Sequence, residues 1–99
     1  MLNEPLFLEA ARELAARTLR DGGGDDTQRM RYAFRRCVGR VPEGSETDEL
    51  LSLLKKEERR FTESGRDPAQ FSGTADPSKA AWTAVARVLL NLDETITKE

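Results

Sequence analysis

The segment AAWTAVARVLLNLDETI, residues 80–96, constrains this chain more than any other. At about 100° per residue, Thr83, Arg87, Asn91, Glu94 and Lys98 fall on one narrow polar face. Ala81, Trp82, Ala84, Val85, Ala86, Val88, Leu89, Leu90, Leu92 and Ile96 fill the rest of the circumference. A helix apolar over most of its surface belongs at the centre of a domain, with other elements packed around it. The chain has 99 residues, which is one domain at most. Charged residues make up 34% and hydrophobic residues 37%, so the surrounding elements have little apolar material each. Amphipathic helices need only one buried stripe, whereas parallel strands need two buried faces. The expected fold is therefore all-α.

Three further segments carry such stripes. The first opens with Asn3 or Glu4 as cap and Pro5 in the first turn, where a missing N–H costs nothing. Phe7, Ala10, Ala11, Leu14 and Thr18 line one face, and Gly22–Gly24 stop the helix. The second starts at Asp25 or Asp26, with Gln28 at the spacing of a capping box, and buries Met30, Ala33, Phe34, Cys37 and Val38. Gly39 and Pro42 end it. Ser45-Glu46-Thr47-Asp48 opens the third, whose inner face is Leu50, Leu51, Leu54 and Phe61. ESGRDPAQFSGTADP reads as a loop pinned by Phe71, and Asp76-Pro77 caps the fourth helix. The expectation is a small four-helix bundle with the C-terminal helix central. The helices fall near 4–20, 26–38, 46–62 and 77–97, in a single domain over 1–99. The expected core is Phe7, Leu14, Met30, Phe34, Leu50, Leu54, Phe61, Trp82, Val85, Leu89 and Leu92.

Several chemistries are excluded. The chain has no histidine, which removes most zinc and copper sites, histidine-based triads and haem attachment. Cys37 is the only cysteine and lies on an apolar stripe, so it reads as an inert thiol. DGGGDD lacks the alternating oxygen ligands of a calcium loop and reads as a flexible connector. No catalytic residue, metal site or cofactor is assigned to this domain. A net charge of −2, with acids and bases interspersed, does not favour nucleic acid as a partner. No stretch is long and apolar enough to cross a bilayer, and Glu4, Glu9 and Glu13 rule out a signal peptide at the start. Oligomeric state cannot be read.

Three polar features remain. Asp93 projects into the apolar arc between Trp82, Ala86 and Leu89, where an unpaired carboxylate would cost several kcal/mol. The expectation is a structural ion pair with an arginine, Arg40 first; the alternative is fraying at Asn91. In RMRYAFRRCVGR, Arg29, Arg31, Tyr32, Arg35 and Arg36 spread opposite the buried stripe. Arg29, Tyr32 and Arg36 make the candidate interaction face, and a solvated face paired with acids of the third helix is the plainer reading. Glu57 and Glu58 are the carboxylates available to a ligand site.

The segments LNEPLFLEAARELA, FRRCVGRVPEGSETDELLSLL and AAWTAVARVLLNLDETITKE resemble the last part of a planctomycete-type, cytochrome-associated domain family of unknown function. The most specific elements are Gly39, Arg40, Pro42 and Glu46 in a "GR-x-P-x-x-x-E" turn, and Leu89 to Glu94 in "LLNLDE". Thr95 departs from the aromatic that often follows in that family. The resemblance implies a domain excised from the C-terminus of a larger multidomain protein, exported to the periplasm or cell surface and linked to haem through its other domains. It carries over no catalytic residue. The expected function is a non-catalytic interaction or structural module, docking against upstream domains of its parent or a protein partner. The alternative is an accessory domain of a carbohydrate- or redox-related enzyme that contributes carboxylates to a ligand site.

Overall fold

The computed structural model describes residues 4–63 and 76–97, with side chains described for 5–63 and 76–92. Four helices account for nearly all of them: α1 Glu4–Asp21, α2 Asp26–Val38, α3 Gly44–Glu63 and α4 Pro77–Thr97. There is no strand among the described residues. Helix α4 packs against each of the other three, and α2 also touches both α1 and α3. The expected bundle with its last helix central is what forms. The expected loop with Phe71 and the first cap at Asn3 lie outside the described residues, as do the side chains of Asp93, Glu94, Ile96 and Lys98.

The helix ends follow from local chemistry. Asp25 accepts a hydrogen bond from the Gln28 N–H at 2.8 Å, and the Gly24 N–H donates to Gln28 Oε1 at 2.9 Å. The connector read as flexible is thus a capped turn. Gly22 is required there, because a Cβ would lie 2.5 Å from the Thr18 carbonyl oxygen and 3.2 Å from the Arg29 backbone. At the other end of α2, Gly39 adopts φ +84°, and its N–H donates to the Arg35 carbonyl at 3.0 Å, an end that favours glycine. Asp76 caps α4 as expected, accepting from the Ser78 N–H at 2.9 Å.

Helix α3 starts earlier than the expected Ser45-Glu46. The Glu43 carbonyl already accepts from the Thr47 N–H at 2.9 Å, and Glu46 Oε1 accepts from the Glu43 N–H at 2.8 Å. Glu46 therefore sits three residues after the cap and reaches back to it, which is the returning half of a capping box.

Trp82, Phe34, Met30, Leu54, Leu89 and Val85 are fully buried and form the centre. The main cluster joins Ala15 of α1, Met30, Ala33 and Phe34 of α2, Leu50 and Leu54 of α3, and Ala81, Trp82, Val85 and Leu89 of α4. A smaller cluster of Ala11, Leu14 and Ala86 lies beside it, with half-buried Cys37 packed against both.

Two expectations about α4 need correction. Leu92 is not core: it is 41% exposed, and Val88 on the same stripe is 37% exposed. Ala80, Ala81, Trp82 and Thr83 are buried around a whole turn, but further along only Val85, Ala86 and Leu89 stay covered. Periodicity reports which side chains suit a core; it does not report how far neighbouring helices extend along them. Thr83, placed on the polar face by its angle, is fully buried. Its hydroxyl donates to the Lys79 carbonyl at 2.8 Å, so burial leaves no donor unpaired.

This packing separates two leucines three residues apart. Leu89→Ala should lose about 2–5 kcal/mol of stability in urea denaturation. Leu92→Ala should lose less than about 1 kcal/mol. Equal losses would contradict the arrangement of α4.

Candidate interaction face on the second helix

Helix α2 turns Met30, Ala33 and Phe34 inward. The 3.6-residue period then directs Gln28, Arg31, Tyr32, Arg35 and Arg36 outward. With Val41 from the following turn, these side chains line a shallow trough of about 500 Å³. Val41 is 49% exposed, an apolar side chain set among guanidinium groups. The Arg36 guanidinium lies over the Tyr32 ring, 5.7 Å from its centroid, which restrains both side chains. Among the described residues, Arg31 and Arg35 have no carboxylate within ion-pairing distance.

The trough's end is fixed by a clasp at the α2–α3 turn. Arg40 Nη1 and Nη2 donate to Glu46 Oε1 and Oε2, both at 2.8 Å, the two parallel bonds a planar guanidinium makes with a carboxylate. The same guanidinium lies 5.1 Å from the centroid of the buried Phe34 ring. Pro42 is buried between them in sequence. Gly39, Arg40, Pro42 and Glu46 thus each have a part in one turn: left-handed cap, fork, buried ring and acceptor. The Arg40 fork, and then the Glu43 N–H, hold the Glu46 carboxyl down from its ordinary 4.5 to about 2.

The residues singled out from sequence divide. Tyr32 and Arg36 line the trough, whereas Arg29 is drawn into the α1–α2 joint beside Gly22, with its Nη1 3.9 Å from Asp26. Helical angle alone placed Arg29 outside; the close approach of α1 brought it in. Arg40 has committed both terminal nitrogens to Glu46, and the side chain of Asp93 lies outside the described residues. Gln28 and Val41 were not anticipated at this face. The only signal for Val41 is an apolar residue standing between Arg40 and Pro42 in an otherwise polar turn.

Glu57 and Glu58 of α3 do not converge. Glu57 is buried and accepts from Arg60 Nη1 at 3.1 Å. Glu58 instead borders a shallow groove of about 340 Å³ with Lys55, Arg59, Thr62 and Glu63. Burial, and then the neighbouring Asp26, push its carboxyl above the ordinary value. No cluster of three or more metal-ligating side chains occurs among the described residues. Nor is any helix there long and apolar enough to cross a membrane.

The clasp has a pH signature. Because the folded Glu46 carboxyl titrates below its ordinary value, it contributes stability above about pH 4.5 and loses that contribution as pH falls towards 2. The melting temperature of Glu46→Gln should therefore fall less steeply than wild type on acidification across that window, measured by scanning calorimetry. Parallel curves would contradict the clasp. No protein-family model, curated protein or solved structure matches this chain.

Proposed function

We propose that this chain is a non-catalytic helical module that docks onto protein, through the outer face of α2, within a larger exported protein. The observation that carries the reading is the trough itself. Arg31 and Arg35 stand there without carboxylate partners among the described residues, beside a stacked Arg36–Tyr32 pair and half-exposed Val41. Arginine and tyrosine are the side chains that interfaces favour, because they combine large contact area with directed hydrogen bonding. The resemblance to the cytochrome-associated family supports the setting: upstream domains of the same protein are the nearest candidate partners, and haem chemistry would reside in them.

The runner-up is an accessory ligand site on α3. Its supporting observation is Glu58, a partly buried carboxylate at the rim of the α3 groove, held above its ordinary value by burial and then by Asp26. It is the weaker reading, since Lys55 and Arg59 share its groove and Glu57 faces elsewhere.

Titrating this chain with the upstream domains in a calorimeter should give a saturable 1:1 heat with a micromolar Kd. Amide shifts in an NMR titration should concentrate between residues 28 and 41. Absence of any association would overturn the docking reading.

A further inference from the structure

The proposal that follows rests on the docking reading and names the partner's chemistry. Arg31 and Arg35 are one helical turn apart, a rise of about 6 Å. A carboxylate can accept two parallel bonds from each guanidinium. Two carboxylates on a partner meet that spacing when they too stand four residues apart on a helix. Such a pair repels itself in the isolated partner helix, and the arginines would relieve the repulsion on docking. Arg36, held over Tyr32 at 5.7 Å from the ring centroid, needs little ordering to join them. At the C-terminal end, Val41 at 49% exposure offers an apolar seat next to the charges.

The borders of the trough limit the ligand. Asp25 and Asp26 stand at the start of α2, and Asp21 lies near enough to Arg36 to feel its charge. Glu43 follows Val41, and Glu46 beyond it is already paired with Arg40, leaving no unpaired cation among the described residues at that end. The basic strip from Gln28 to Arg36 is only about 12 Å long. A continuous polyanion such as nucleic acid would run onto carboxylates at both ends, and the chain carries −2 overall. A short segment with two or three acids fits; a phosphate backbone does not.

We propose that the α2 trough receives an acidic amphipathic helix of a protein partner, with two carboxylates four residues apart on Arg31 and Arg35 and an aliphatic side chain against Val41 and Tyr32.

The test uses fluorescence anisotropy with three probes. One is an end-capped helical peptide with two glutamates four residues apart and a leucine one turn beyond the pair on the same face. The second replaces both glutamates by glutamine, and the third is single-stranded DNA of equal charge. The glutamate peptide should bind the intact chain and weaken with added salt, and the glutamine peptide should bind at least about fivefold more weakly. Arg31→Gln and Arg35→Gln should each weaken the glutamate peptide about fivefold, while Arg59→Gln on α3 leaves it unchanged. Circular dichroism checks that each variant folds. Equal binding of the two peptides, failure of both to bind, or tighter DNA binding with the same arginine dependence would overturn the proposal. Calorimetry of the Arg31→Gln/Arg35→Gln variant with the upstream domains separates the two levels. Lost heat supports the acidic-helix assignment. Unchanged heat defeats it and leaves docking in place, and no heat from the wild-type chain together with no peptide binding defeats both.

Discussion

Enclosure of α4 is the constraint on which the rest of this structure depends. Its first turns bury a tryptophan, three alanines at positions 80, 81 and 86, and the hydroxyl of Thr83, leaving no side for solvent around residues 80–83. A chain of this length buries only about 60–70% of its unfolded surface, so a helix enclosed over its first turns takes up much of the apolar stripe of its neighbours. Each of α1, α2 and α3 then offers one face to α4 and keeps the other wet. Among the described residues, the outer face of α2 is left exposed for this reason.

The Arg40–Glu46 clasp has a different role. Both side chains are substantially exposed, at 51% and 34%, and exposed ion pairs contribute little to stability. Its consequence is geometric. The fork ties the turn after α2 to the first turn of α3, and the guanidinium closes over Phe34. That fixes where Val41 stands relative to Arg31 and Arg35.

Much of the fold was legible because helices announce themselves through period, cap and stop. The bounds of α2 and α4 followed from Asp25, Gly39 and Asp76, and ten of the eleven expected core side chains are buried. What stayed hidden depends on neighbours rather than on the segment itself. Leu92 has the right angle but stands 41% exposed; Thr83 has the wrong angle and is fully buried. Glu46 looked like part of a cap and proved to be the acceptor in a tertiary contact as well. At the candidate face, Tyr32 and Arg36 could be placed by period, whereas Arg29 was lost to the α1 joint and Val41 gained from a turn that no periodicity describes. The carboxylates on α3 illustrate the same limit: adjacent in sequence, Glu57 and Glu58 point into different surroundings.

The central claim is that α4 is the hub and the other helices are its sheath. Native-state hydrogen exchange tests it most directly. The backbone amides of Ala81 to Leu89 should exchange only through global unfolding, with an opening free energy equal to that from denaturant. Opening of these amides ahead of those in α1 or α3 would contradict the account.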